Sequence, residues 1–365
     1  MKLNRLHAEN FRNIEETSIS LDPALNIITG RNGSGKTSLL EAVNFLGSGK
    51  SFRGAKIDPL TRHGSTYTLV SGEVSSSELG LISLGFRRDN SGERRIRLNG
   101  KNQSQASELA RHLPTLLLGP QSVELLLGPP PERRSFLNRG VFHVEHGFSE
   151  IWRQGVRALQ QRNVLLRNEA SDQELTTWTN QLAALSNNID EMRLAYFERF
   201  LPVFTETYRF LLDLKGVKCS YRRGWDKDRD LLDIYQEQLP TDRHRHFTHS
   251  GFQRADLRFT VDGKPVADMC SRGELKLIAW AAILSQGVIL SESEQSSPVF
   301  LVDDLMAELD ACHQSLVAEL LTKIGGQVLV TGTDPNRLKT LWDLGSIKMF
   351  HVEQGSIREL EKTNE

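Results

Sequence analysis

The chain is poor in cysteine. Cys219, Cys270 and Cys312 stand far apart in 365 residues, and no CxxC pair occurs. That spacing suits neither a zinc site nor a disulfide framework, so the three read as ordinary reduced thiols. An excess of one charge is lacking too: 45 basic and 46 acidic residues leave a formal net charge of −1. Dedicated nucleic-acid binders are often basic overall, so any nucleic-acid contact here must come from a local patch. No uninterrupted apolar run approaches the roughly 18–20 residues of a membrane span. The start, Met1-Lys2-Leu3-Asn4-Arg5, leads into alternating polar and apolar residues rather than a signal-peptide core. A cytoplasmic protein with no membrane partner is expected. Hydrophobic residues at 38% and charged residues at 25% exclude disorder.

What is present falls into three stretches. Leu25-Asn26-Ile27-Ile28-Thr29 reads as a buried strand running into glycine, and Thr37 to Leu46 as a helix with Leu39, Leu40, Val43 and Leu46 at helical spacing. From Tyr67 to Leu98 short apolar stretches alternate with turn residues, and Asn99-Gly100 is a hairpin signal. An antiparallel sheet is expected there. After Pro129-Pro130-Pro131 the pattern turns helical until about Lys215, enough for two or three helices forming a separate lobe. Strands return at 217–221 and 257–261. A helix over 272–290, an apolar strand at 299–302, a helix over 311–323 and a strand at 327–330 then give a parallel α/β alternation. The division predicted is 1–130 and 216–365 as two parts of one α/β lobe, with a helical insertion at 131–215.

Gly30-Arg31-Asn32-Gly33-Ser34-Gly35-Lys36-Thr37 fits the Walker A pattern in full. Glycines let successive backbone N–H groups point inward at a triphosphate. Lys36 is placed to reach the β and γ phosphates and the Thr37 hydroxyl to ligate magnesium, with Ser38 beside it. The helix that follows presents its positive end. The loop also sits between a strand and a helix, as that mechanism requires.

Val299-Phe300-Leu301-Val302-Asp303-Asp304 is a Walker B pattern, four apolar residues ending in two carboxylates. Asp303 is assigned to magnesium. Asp304 stands where ABC ATPases usually carry a water-polarising glutamate; one methylene shorter, it implies slow hydrolysis. More than two hundred and fifty residues separate Lys36 from Asp303, unlike the compact spacing of Ras-like GTPases. Ala307-Glu308-Leu309-Asp310 resembles an ABC D-loop. Ser271-Arg272-Gly273-Glu274, just ahead of a helix, resembles the ABC signature, in which Ser271 and Gly273 would meet the γ-phosphate held by an opposite subunit.

Over nearly its whole length the chain resembles the RecF family. The resemblance is carried by Asn10-Phe11-Arg12-Asn13, the Walker A loop, Lys50-Ser51-Phe52-Arg53, Glu132-Arg133-Arg134-Ser135-Phe136-Leu137-Asn138, Leu159-Gln160-Gln161-Arg162-Asn163, Arg254-Ala255-Asp256-Leu257, the signature, Walker B, Glu308-Leu309-Asp310 and Thr331-Gly332-Thr333-Asp334. It implies a P-loop ABC-type ATPase head, Rad50-like, with an antiparallel β subdomain and an inserted helical lobe. It also implies an ATP-dependent homodimer that binds DNA at single-strand gaps and adjoining duplex, without sequence preference. Slow ATP hydrolysis, with Mg2+ as cofactor, would release the DNA. RecR and RecO would be partners in helping RecA load. By the same resemblance Arg12 and Asn13 would contact nucleotide, and Gln121 would watch the γ-phosphate as a Q-loop residue.

The chain departs from the family pattern at Gly119-Pro120-Gln121-Ser122, at Glu274, at Gly251-Phe252-Gln253-Arg254, and at Thr333, near where transporters keep a switch histidine. Two other readings fit the same motif order: the ATPase subunit of a membrane transporter, and a non-catalytic ATP-binding scaffold. Arg243-His244-Arg245-His246-Phe247-Thr248-His249 is expected to be a solvated loop. Arg133-Arg134 fits a phosphate contact or a helix cap.

Overall fold

The computed structural model describes residues 1–53, 60–76, 79–292, 297–342 and 346–360. The chain divides into two compact units. The first comprises Met1–Ser122, Thr207–Leu212 and Lys276–Glu365, and the second Val123–Glu206 and Asp213–Leu275.

In the first unit, six strands form an open sheet in the order Ser356–Leu360, Ile347–Glu353, Leu25–Thr29, Gln327–Gly332, Val299–Val302, Thr115–Leu118. All neighbours pair in parallel except the final hairpin, Ile347–Glu353 with Ser356–Leu360. The strands Leu25–Thr29, Val299–Val302 and Gln327–Gly332 are buried at every position, as expected for parallel strands covered on both faces. Thr115–Leu118 and the hairpin are elements the sequence pattern did not single out.

A second sheet of six antiparallel strands runs in the order Ile14–Ser20, Lys2–Phe11, Tyr67–Ser76, Gly80–Asp89, Arg94–Leu98, Lys101–Gln103. Tyr67–Ser76 alternates inward and outward positions, Thr68, Val70 and Val74 being buried. The helix Lys36–Ser48 joins both sheets into one core. Its Leu39, Leu40, Val43, Phe45 and Leu46 cluster with Leu3, Leu6, Phe11, Val70 and Phe86 of the antiparallel sheet, and with Leu301, Leu329 and Phe350 of the parallel one. Phe45 lies 4.6 Å from Phe86 and 5.7 Å from Phe11, centroid to centroid. A helix apolar on all sides is a buried helix.

The second unit carries the helices Pro130–Val144, Phe148–Arg167, Leu231–Arg245 and most of Asp172–Leu211, with a three-stranded antiparallel sheet of Val217–Arg222, Asp256–Val261 and Lys264–Pro265. Phe136, Phe200, Phe204 and Phe259 form its aromatic spine, successive centroids 5.8, 5.6 and 5.6 Å apart. The unit therefore takes in 216–275, which the sequence division placed with the ATPase lobe. The strands there pair antiparallel with one another and add nothing to the parallel sheet.

Two local expectations change. The histidine-rich stretch is not simply a solvated loop: Arg243 to Arg245 end the helix Leu231–Arg245, and the next residues close a buried ion pair. Arg162, with no exposed side-chain surface, donates to Asp242 and to Thr248 at 2.7 Å each, and His249 Nδ1 lies 2.7 Å from the same Asp242 carboxylate. Removing two charges from water is tolerable only where they are paired and hydrogen-bonded, although Arg162 Nη2 is left without a hydrogen-bond partner among the described residues. Arg133 and Arg134 are also engaged internally. Arg133 makes a two-pronged contact with Asp256 at 2.8 and 3.1 Å, and Arg134 donates to the Ala255 carbonyl at 3.1 Å.

The helix Arg272–Ser291 is long and apolar enough, by length and composition, to cross a membrane. Glu274 and Lys276 interrupt its start, so no unbroken apolar run marks it in the sequence. Most of its apolar stretch, 72%, is buried within the protein, which is the pattern of a core helix.

Candidate nucleotide-binding site

The site begins where the buried strand Leu25–Thr29 ends. Gly30 has φ +154°, and a Cβ there would meet the Val352 carbonyl oxygen at 2.3 Å and Ser34 Oγ at 2.7 Å. Gly35, at φ +119°, precedes the helix Lys36–Ser48, and a Cβ there would meet the Asn13 amide at 2.8 Å. Side chains at these two positions would break the loop, so the glycines are set by packing as well as by backbone conformation.

Lys36 is buried, and its Nζ donates to the carbonyls of Gly30 at 2.8 Å and Arg31 at 3.1 Å. The ammonium thus braces the loop across its mouth. Burial lowers its pKa, while Asp304 and Asp303 act in the opposite sense. Thr37, one residue on, donates through Oγ1 to Asp303 Oδ1 at 3.0 Å. Thr331, at the end of the strand between the two motifs, donates to the same oxygen at 3.0 Å and accepts from the Asp304 N–H at 2.7 Å. Asp303 is itself buried, and its pKa is raised by that burial against the pull of both hydroxyls. Asp304 adopts a left-handed conformation, φ 52° and ψ 52°, which turns the chain out of the strand. Short polar residues tolerate this region better than most.

These groups line a cleft of about 790 Å³ that includes Asn32, Gly33, Gly35, Lys36, Thr37, Ser38, Asp303 and Asp304. Arg31 lines a second hollow of about 520 Å³, with Gly30, Thr333 and His351. Two buried polar atoms of this region, Ser34 Oγ and Gln121 Nε2, have no hydrogen-bond partner. Gln121 stands beside Asp303: a Cβ on Gly119 would lie 3.2 Å from Asp303 Cβ and 3.5 Å from Gln121 Oε1. Neither Ser34 nor Gln121 lines the cleft itself, but the cleft's glycine loop, buried lysine and adjacent carboxylate–hydroxyl pair fit a nucleoside triphosphate and a divalent cation.

Arg12 and Asn13 also line the cleft, but each has an internal task. Arg12 donates to both oxygens of Glu41, at 2.9 and 2.8 Å. Glu41 sits on the P-loop helix with no exposed side-chain surface, and also takes Arg53 at 3.7 Å and the Ser51 hydroxyl. Asn13 donates to the Ser34 carbonyl at 3.1 Å and so fixes the loop. The motif reading missed three further lining residues, Arg53, Thr61 and His63. Thr61 reaches the cleft by a bridge to Phe11, a tertiary pairing that no local pattern announces.

Ser271 and Gly273 belong to the second unit and are exposed. Ser271 and Glu274 form a reciprocal capping box. The Ser271 N–H donates to the Glu274 carboxylate at 2.7 Å, and the Glu274 N–H to Ser271 Oγ at 3.3 Å. Glu274 thus has a structural reason where the family pattern differs. No Cβ added at Gly273 would meet another atom within 4 Å, so that helix start stays open. In the D-loop, Glu308 is held by Lys276 at 2.8 Å and Asp310 caps the helix Ala311–Ile324.

Residues 2–358 match the family described as RecF/RecN/SMC N terminal domain. The chain is 42% identical over 362 residues to the DNA replication and repair protein RecF of Stutzerimonas stutzeri (strain A1501), covering 99% of this chain and 98% of that one. The chain belongs to the RecF family. The RecF of Pseudomonas fluorescens (strain SBW25) is 41% identical to this RecF-family chain over 359 residues, 98% of each. Among solved structures, the recombination mediator protein RecF with ATP in the RecFOR pathway superposes with a TM-score of 0.86 at 25% identity, over 99% of this chain and 98% of that one. An SMC head bound to the C-winged helix domain of ScpA, 17% identical, shares the fold at a TM-score of 0.60. The fold is therefore that of an ABC-type ATPase head of the RecF and SMC kind.

Proposed function

We propose that this RecF-family chain is an ATP-switched, DNA-binding protein of recombinational gap repair. The observation that carries the reading is the convergence of Lys36, Thr37, Asp303 and Asp304 on one cleft, in a chain about 40% identical to RecF proteins throughout.

In this reading the loop N–H groups and Lys36 bind the triphosphate of ATP, and Thr37 and Asp303 hold Mg2+. A bound Mg2+ would supply charge neutralisation at the phosphates. Asp304 orients the attacking water and Gln121 senses the terminal phosphate. Ser271 and Gly273 meet the nucleotide of a second copy, so ATP promotes a homodimer that its hydrolysis dissolves. Asp304's short reach makes it a weak ATPase, stimulated by DNA. The ATP-bound dimer engages DNA at single-strand gaps and the adjoining duplex through backbone charge and shape. It works with RecR and RecO to help RecA load.

Sedimentation with ATP, with ADP and without nucleotide, with and without gapped DNA, tests this for the wild type and Lys36→Ala. Dimers with ATP alone, and none for Lys36→Ala, are expected. A wild-type monomer indifferent to ATP would sink the reading.

A further inference from the structure

Two chain turns meet at one carbonyl of the phosphate loop. The first joins the strands Lys2–Phe11 and Ile14–Ser20, where Phe11 faces Ile14 with only Arg12 and Asn13 between. The second joins Ile347–Glu353 and Ser356–Leu360, where Glu353 faces Ser356 with only Gln354 and Gly355 between. Both residues of that second turn have positive φ, 48° at Gln354 and 85° at Gly355, the form that suits a two-residue hairpin. The Gly355 N–H donates to the Ser34 carbonyl at 2.8 Å. Asn13 Nδ2 donates to the same oxygen at 3.1 Å. A peptide carbonyl has two lone pairs, and here each has a donor.

Gly355 is buried, and a Cβ on it would meet the Asn13 carbonyl oxygen at 2.1 Å. The turn alone would accept asparagine or aspartate. The close approach to Asn13 accepts no side chain. The same hairpin also touches the first glycine of the loop, through the Val352 carbonyl beside Gly30.

We propose that Gly355 and Asn13 are positioning residues that set the direction of the Gly35 N–H and keep the loop ready for phosphate. The proposal rests on the ATP-binding reading above. A trans peptide is planar, so its C=O and N–H point in opposite directions. Pinning the Ser34 carbonyl to the two turns directs the Gly35 N–H the other way. Gly35 lines the cleft, whereas Ser34 and Gly355 do not. Rotated about, the same peptide would set a carbonyl oxygen against the anion. Lys36 braces the carbonyls of Gly30 and Arg31 in the ligand-free loop, but in that reading its ammonium moves to the phosphates when ATP binds. The two bonds to Ser34 are left to hold the loop. Donors aimed before the ligand arrives need no rearrangement when it does.

The test replaces the Gly355 N–H with an ester oxygen, glycolic acid standing in for Gly355, in the full chain and in its Asn13→Ala variant. The exchange deletes the donor and adds no side chain at the crowded position. ATP affinity is measured by calorimetric titration well below the melting temperature. Removing either donor alone should lower affinity about fivefold, the weight of one ordinary hydrogen bond. Removing both should lower it on the order of a hundredfold, more than the product, because the carbonyl is then free to turn. A hairpin that is only structural would lower the melting temperature and leave the affinity of the folded protein unmoved, and that result overturns the clamp. Losses that merely multiply overturn it as well, since the two donors would then act separately. Should the ester chain not fold, amide exchange of the wild type decides. Slow exchange at Gly355, slower still with ATP, supports the clamp, and exchange as fast as an open turn amide overturns it. A wild type that binds no ATP removes the reading beneath, and the clamp with it.

Discussion

Thr37 and Asp303 share a 3.0 Å hydrogen bond across 266 positions of sequence. Thr331 closes on the same carboxylate oxygen. The pair assigned to magnesium is thus preassembled, with the carboxylate held in a place that disfavours its charge.

That has a measurable consequence for Asp303. Burial raises its pKa above the ordinary 3.8, so the folded state holds its proton more tightly than the unfolded state does. The ionised form therefore lowers stability increasingly as pH rises from 3.8 through the folded value. Without ligand at pH 7, Asp303→Asn should melt above the wild type. The difference should close as the pH falls toward 3.8. The same variant should lose ATP hydrolysis. Calorimetry over a pH series, with a turnover assay, checks both.

In the proposed reading Asp304 polarises water with one methylene less than a glutamate, from a left-handed backbone position. Asp304→Glu restores a methylene and should raise ATP turnover about tenfold, equivalent to roughly 1.4 kcal/mol off the barrier. The left-handed conformation suits Glu less well and should lower stability by about 1 kcal/mol. Asp304→Asn should abolish turnover while nucleotide affinity holds. Steady-state kinetics beside a nucleotide titration would separate these outcomes.

Glu41 carries two arginines on a carboxylate with no exposure. Glu41→Ala leaves Arg12 facing a buried vacancy and should destabilise the chain by about 3–5 kcal/mol. Arg12→Ala should be milder, because Arg53 and Ser51 still reach the carboxylate. Urea unfolding of the two variants ranks them, and the reverse order would refute the role given to Glu41.

In the second unit, Gly140 lies against Tyr196. A Cβ there would come within 2.2 Å of the ring, and that ring is 1% exposed. Gly140→Ala should destabilise by about 1–3 kcal/mol through overpacking. Combined with Tyr196→Leu it should be less than additive, a double-mutant cycle that isolates the clash.

The parts legible in the sequence were those whose physics is local. Gly30 to Thr37 carries its own turn chemistry, and Val299 to Val302 is an apolar run with two acids at its end. The strand Thr115–Leu118 was not legible, because a threonine and three leucines read equally as strand or helix. The helix Leu231–Arg245 was masked by its polar composition, with only Leu231, Ile234, Tyr235 and Asp242 buried. Glu41 looks like any surface glutamate on a helix until Arg12 is folded over it. Arg53, Thr61 and His63 line the cleft without a local pattern that marks them, Thr61 through its bridge to Phe11.

The strand that feeds the phosphate loop, Leu25–Thr29, is bordered by Gln327–Gly332 on one side and Ile347–Glu353 on the other. Both neighbours are made some three hundred residues later. At roughly 5–20 residues per second on the ribosome, a growing chain carries its glycine loop for many seconds without the sheet that shapes it. The loop's flanking strands thus reach it only near the end of synthesis.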